Sequence, residues 1–199
     1  MLSYKELLKQ AHDINKKNVY GGDVRYYKAR TDTVASCNIE DTQYHFFDGT
    51  TGLREWINDF RAVRIGLFGA AIGYDEVAEL LFCQMMSNIN LDKKQVFTGF
   101  SRGGALGMLV LIRVMRYAET QGKKLDCELV SFNMPKAGGR KLYKVCKKLG
   151  FKHTRIYMVG DFVHNIVWWW KKPYSTKVIA LENNEKGIKK KHQNILPYL

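Results

Sequence analysis

The sequence lacks an uninterrupted apolar stretch of about 20 residues, so a membrane-spanning helix is not expected anywhere in its 199 residues. Its first segment, Met1-Leu-Ser-Tyr-Lys-Glu-Leu-Leu-Lys-Gln10, also lacks the basic stretch followed by an apolar core that marks a cleavable secretory signal. The expectation is a cytoplasmic or otherwise intracellular protein, and a microbial or viral chain acting inside a host cell fits that pattern. There is no C-x-x-C pair. The cysteines Cys37, Cys83, Cys127 and Cys146 are scattered, which does not support metal ligation and fits buried, reduced thiols. Internal repeats and linker-like stretches are absent, so residues 1–199 read as a single domain able to bury one sizeable core.

Acidic residues are scarce as well. Nineteen Asp and Glu stand against 32 Lys and Arg, a formal net charge of +13. Such a balance favours an anionic partner, either a lipid surface or nucleic acid, through a field strongest at low salt. A solvated basic surface that only keeps the chain soluble is the alternative. Hydrophobic residues at 46% and charged residues at 26% are ordinary for a folded globular protein and exclude whole-chain disorder.

Periodicity predicts alternating helices and strands. Tyr4 to Lys16 reads as an amphipathic helix, with Leu7, Leu8, Ala11 and Ile14 at helical spacing. Residues 34–39 and 43–47 read as short strands around the turn Glu40-Asp41-Thr42, and residues 53–60 as a short helix anchored by Trp56. Tyr74 to Met86 is a second strong helix, with Val77, Leu80, Leu81 and Met85 on its apolar face. Further on, strands are expected at 95–98, 125–132 and 155–159, a buried helix at 104–117, and a basic helix at 139–149. The stretch from Val163 is less regular, with a strand-like segment at 177–181 and a basic run at 186–191. This order implies βαβ units and a mainly parallel central sheet with helices on both faces.

Gly99-Phe-Ser-Arg-Gly103 fits the pattern G-x-S-x-G. A short glycine pattern means little alone, but here it joins a predicted strand to a predicted helix, as a nucleophile elbow requires. Ser101 is then the candidate nucleophile and the backbone N–H of Arg102 a candidate oxyanion donor; an ordinary helix N-cap is the competing role for Ser101. A serine hydroxyl needs a base, and the base an orienting carboxylate. In α/β-hydrolases these follow the serine in the order acid, then histidine. His153, His164 and His192 are the histidines beyond Ser101. Asp161 directly follows a predicted strand, at the sheet edge where the serine belongs, and His192 lies in a C-terminal loop able to fold back over that edge.

Taken together, these segments resemble the class 3 (fungal-type) lipase family over roughly residues 43–198. Val96-Phe-Thr-Gly-Phe-Ser-Arg-Gly-Gly-Ala-Leu106 resembles its elbow, V-x-x-T-G-H-S-L-G-G-A-L. Ser131-Phe-Asn-Met-Pro-Lys-Ala-Gly-Gly139 resembles T-F-G-x-P-R-V-G-N. Arg155-Ile-Tyr-Met-Val-Gly-Asp-Phe-Val163 resembles the segment carrying the catalytic aspartate, which maps onto Asp161, and the late histidine maps onto His192. Residues 46–59 resemble F-R-G-T/S-x-S-x-x-D-W-x-x-D, which makes Thr50 the second oxyanion-hole candidate. Two departures stand out. Asp48 replaces the usual arginine, and Phe100 and Arg102 replace the His and Leu beside the nucleophile, so the Arg102 side chain is expected to make the site rim more basic.

The resemblance implies a compact α/β-hydrolase, a serine esterase or lipase that cleaves acyl esters through a Ser101–Asp161–His192 triad and an acyl-enzyme, with no metal and no cofactor. Only residues 61–73 are available for the usual lid, so a large lid there is not expected. Trp168, Trp169 and Trp170, followed by Lys171 and Lys172, would suit a peripheral anchor on an anionic membrane. The expected substrate is a lipid ester, phospholipid included; a thioesterase or peptidase is compatible with the same triad. A catalytically degenerate hydrolase fold, binding nucleic acid or membrane through its charge, is the competing reading.

Overall fold

The computed structural model describes residues 1–14, 19, 22–49, 70–161, 163, 174–182 and 195–199. The chain begins with helix α1 (Tyr4–Asp13) and continues through strands β1 (Gly22–Ala29), β2 (Asp32–Ile39) and β3 (Thr42–Phe47). Helix α2 (Ile72–Met85), strand β4 (Lys94–Phe100), helix α3 (Arg102–Thr120) and strand β5 (Cys127–Phe132) follow. Helix α4 (Arg140–Leu149) and strands β6 (Lys152–Met158) and β7 (Lys177–Leu181) complete the order. Among the described residues the strands form one seven-stranded sheet in sequence order. β1, β2 and β3 are antiparallel neighbours, and β3 through β7 run parallel. This is the mainly parallel α/β architecture the sequence predicts. The antiparallel pair at one edge adds β1, which the sequence pattern did not reveal.

Local chemistry sets the element boundaries. Ser3 Oγ accepts the Glu6 N–H at 3.3 Å while the Glu6 carboxylate accepts the Ser3 N–H at 2.7 Å, a reciprocal cap that starts α1. At the end of α4, Gly150 turns into the left-handed region (φ 68°) and stops the helix. Period-two alternation in the strands builds two cores. Phe47, Phe97 and Leu129 face Val77, Leu81, Leu106 and Val110 on the side of α2, α3 and α4. Phe46, Val96, Val130 and Ile156 face Leu7, Leu8, Ile14 and Ile195 on the side of α1. Each such side chain, fully withdrawn from water, contributes about 1.5–3 kcal/mol.

Two expectations fail in α2. Its buried face is Tyr74, Val77, Ala78, Leu81 and Met85, whereas Leu80 is 47% exposed. Nine hydrophobic residues in fourteen leave more than one stripe possible, and packing against α3 selects the one without Leu80. Cys83, on the same outward side, is exposed, while Cys37, Cys127 and Cys146 are buried. The outer rim of β1 is covered by α2. Gln84 accepts the Lys28 N–H at 3.2 Å and donates to the Lys28 carbonyl at 3.0 Å. Among the described residues no helix is long and apolar enough to cross a membrane.

Candidate active site

Strand β4 ends at Phe100 and helix α3 begins at Arg102, which leaves a single residue for the reversal. That residue is Ser101, at φ 50° and ψ −121°. Side chains rarely tolerate this backbone conformation, so the turn is strained at its apex. Its neighbours explain why the flanking positions are glycine. A Cβ on Gly99 would lie 2.4 Å from the Gly103 carbonyl carbon, and one on Gly103 would lie 2.4 Å from the carbonyl oxygens of both Phe47 and Asp48. The elbow is fixed further by the Ser101 N–H, which donates to the Phe132 carbonyl at 2.8 Å. Ser101 is therefore presented at the carboxyl edge of the parallel strands, above the amino end of a 19-residue helix whose dipole favours negative charge there.

The end of β3 runs against the same elbow. A Cβ on Gly49 would meet the Phe100 carbonyl oxygen at 2.8 Å, and the Asp48 N–H donates to the Thr33 carbonyl at 3.0 Å. Asp161 lies at the same sheet edge, just past β6, and is 1% exposed. Gly160 (φ 81°) makes the turn, Asp161 N–H donates to the Met158 carbonyl at 3.1 Å, and its Oδ1 accepts the Val163 N–H at 2.9 Å. Ser101 and Asp161 thus follow strands separated by β5 alone, about 10 Å apart at ordinary strand spacing.

Asn133, missed in the sequence, ties these two ends together. It sits at φ 46°, wholly buried, one residue beyond the carbonyl that holds Ser101. Its N–H donates to the Ile156 carbonyl at 2.8 Å, and its Oδ1 accepts the Met158 N–H at 2.9 Å. No local sequence signal distinguishes this asparagine from a turn residue.

The Arg102 side chain overturns an expectation. It does not reach the rim. Its Nε donates to Asp32 Oδ1 at 2.7 Å and a terminal nitrogen donates to Asp32 Oδ2 at 2.9 Å, with the two side chains 4% and 3% exposed. The Tyr74 ring lies under the guanidinium, 5.3 Å from its carbon. A buried guanidinium needs a carboxylate, and Asp32, at the start of β2, supplies one from 70 residues away. Burial first, and the Asp32 charge second, raise the Tyr74 phenol well above its ordinary range, so it stays neutral.

His153 is withdrawn from the candidate bases. It is fully buried in β6, within hydrogen-bond distance of Ser131 Oγ at 2.8 Å through Nε2 and of the Tyr174 carbonyl through Nδ1. Desolvation lowers its pKa to about 4, so it packs as a neutral imidazole. His45 is a parallel case, between Ser36 Oγ at 2.7 Å and Gln95 Oε1 at 2.9 Å, with its pKa lowered by burial to about 4. Thr50, Trp56, His164, Trp168, Trp169, Trp170, Lys171, Lys172 and His192, together with most of the short lid segment, lie outside the described residues. Among the described residues no group of His, Cys, Asp and Glu could hold a metal ion.

A strained serine between a parallel strand and a helix, packed on glycines, has the geometry of a nucleophile elbow in the α/β-hydrolase fold. The sequence profile of the family described as lipase (class 3) matches residues 44–169, and the chain belongs to that family. It is accordingly a carboxylic ester hydrolase. Solved fungal lipases share the fold at low sequence identity. The Rhizomucor miehei lipase in its propeptide complex is 17% identical with a TM-score of 0.64, covering 91% of this chain and 67% of its own. A lipase from Rhizopus microsporus var. chinensis is 18% identical with a TM-score of 0.57, covering 90% and 71%. One from Yarrowia lipolytica is 16% identical with a TM-score of 0.57, covering 81% and 67%. The chain therefore spans about two thirds of the length of the Rhizomucor and Yarrowia lipases. A search of curated protein sequences finds no match.

Proposed function

We propose that the chain hydrolyses acyl esters of lipids at an anionic interface, with Ser101 as nucleophile, His192 as base and Asp161 as the orienting acid. The observation that carries the assignment of Ser101 is its backbone at φ 50° between β4 and α3, strain that an ordinary helix cap would not need. His192 removes the hydroxyl proton as Ser101 Oγ attacks the ester carbonyl, and the imidazolium formed is stabilised by Asp161. The tetrahedral oxyanion accepts hydrogen bonds from the backbone N–H of Arg102 and from Thr50. As it collapses, His192 returns the proton to the departing alkoxide; water then attacks the acyl-enzyme with the same base. Support for His192 comes from its place in the chain, after Asp161 in the order that the triad follows in α/β-hydrolases.

The choice of an anionic surface rests on charge. Helix α4 exposes Arg140, Lys141, Lys144, Lys147 and Lys148 and contains no acidic residue. Trp168–Trp170 with Lys171 and Lys172 would add an interfacial anchor. Some of the similar fungal enzymes are described as triacylglycerol lipases, which makes neutral lipid esters the companion substrate class. The same basic helix favours the second reading, a degenerate hydrolase that only binds anionic polymers. A fluorophosphonate probe separates them: labelling is expected at Ser101 and lost in Ser101→Ala, and no labelling of the wild type would leave only the binding module. Chromogenic esters from acetate to palmitate then define the acyl chain. Sedimentation with vesicles is expected to be stronger with anionic than with neutral lipid; equal binding would remove the interface from the proposal.

A further inference from the structure

We propose that Asp32 is a positioning residue for the oxyanion hole, holding Arg102 so that its peptide N–H stays aimed at the reacting carbonyl. The inference rests on Arg102 N–H being one of the oxyanion donors. The torsion that aims this N–H is ψ of Ser101, at −121° in a region where the backbone has no intrinsic preference to remain. The Ser101–Arg102 peptide plane is held on its carbonyl side by the Gly104 N–H, which donates to the Ser101 carbonyl at 3.1 Å. The Arg102 side chain adds a second anchor on the N–H side: two charge-assisted bonds, at 2.7 and 2.9 Å, grip the guanidinium in a fork geometry that allows little rotation. Below it, the Tyr74 ring closes the remaining space.

Asp32 is well placed because its neighbour holds the opposite wall. The Thr33 carbonyl accepts the Asp48 N–H at 3.0 Å, and Asp48 leads directly into Gly49 and Thr50. One dipeptide, Asp32-Thr33, therefore grips the residue after the nucleophile through a side chain and the approach to Thr50 through the backbone. The hairpin supplying this dipeptide is itself pinned to α2. Arg30 pairs with Glu76 at 2.8 Å, and Lys28 exchanges two hydrogen bonds with Gln84. The position where the family usually carries arginine holds Asp48 here, and an arginine stands at 102, where the family usually has leucine. The ionic anchor of the hole is thus built from the elbow side in this chain.

The test compares Asp32→Asn and Asp32→Ala with wild type on a soluble p-nitrophenyl ester, alongside the fluorophosphonate labelling rate and the melting temperature. Asp32→Asn keeps the shape and one acceptor, and serves where Asp32→Ala does not fold. Loss of one oxyanion donor typically lowers kcat by 10²–10³, so a mis-aimed donor should lower it by about tenfold in Asp32→Asn and about 100-fold in Asp32→Ala. KM should stay within about twofold, because the ground-state carbonyl makes little of this contact. Labelling should slow in parallel with kcat. Arg113→Gln is the matched control, since it removes a buried arginine that bonds Asp75 and Glu79 at 2.6 Å in the middle of α3, away from the elbow. It should lower the melting temperature and leave kcat unchanged. Asp32 variants that melt earlier yet retain wild-type kcat would overturn the proposal, as would a loss expressed only in KM. Absence of Ser101-dependent labelling in the wild type would instead overturn the hydrolase assignment of Ser101, and the brace with it.

Discussion

Replacing Ser101 by glycine should stabilise the protein relative to replacement by alanine, the reverse of the usual order. Both variants remove the hydroxyl, so the comparison isolates the backbone. A side-chain-bearing residue held at φ 50° and ψ −121° costs about 1–3 kcal/mol, and glycine escapes that cost. Against this stands glycine's ordinary deficit of about 0.5–1 kcal/mol from its freer unfolded chain. Taking the middle of each range, Ser101→Gly should exceed Ser101→Ala by about 1 kcal/mol, or about 2–4 °C in melting temperature for a chain of this size. Urea unfolding followed by circular dichroism measures the difference, and neither variant should turn over esters. Alanine more stable than glycine by the ordinary margin would refute the claim that the elbow stores strain.

Gly103→Ala should destabilise the fold by about 3 kcal/mol or more and cut ester turnover at least 100-fold, because its Cβ would sit 2.4 Å from two backbone oxygens and must displace the elbow; melting and initial rates report both. Acidification should unfold the protein through its core histidines. His45 and His153 both have folded pKa values lowered to about 4, so their stability contribution is complete above about pH 6.5 and is lost as the pH falls towards 4. The loss is on the order of 3 kcal/mol per histidine across that window, and urea unfolding of His45→Gln and His153→Gln between pH 7 and pH 4.5 should show a shallower pH slope than wild type. Native iodoacetamide labelling should modify Cys83 alone. Cys37 and Cys146 are buried with thiols pushed up to about 11 and about 12, and the buried Cys127 is raised further still. Rapid modification of a second cysteine in the native state would contradict the burial described.

Much of the sheet is legible from the sequence because its parallel strands are short apolar runs between helices of clear period, as at Val96, Val130 and Ile156. Strand β1 is not. Its residues, Gly-Asp-Val-Arg-Tyr-Tyr-Lys-Ala, mix charges with aromatics, and only pairing with β2 makes them a strand. The elbow is legible because sterics there demand glycine at two fixed positions around Ser101. Asp32 is illegible for the opposite reason. Its partner is 70 residues away, and nothing near it in the chain separates an aspartate that ends a turn from one that anchors an arginine. His153 shows the limit of chain order as a guide, since a histidine after the nucleophile can also be a neutral member of the core.

The glutamine on α2 that pairs with Lys28 has a bearing on how the protein behaves at high concentration. An edge strand offers its outward N–H and C=O groups to any extended segment, including the same edge of another copy. Here the Gln84 amide occupies both groups of Lys28 as a neighbouring strand would, and the side chains of Lys28 and Arg25 add charge along β1. The cap ends the ladder at Lys28 with a side chain rather than a further strand, so this point of the β1 edge is closed to pairing with a second copy.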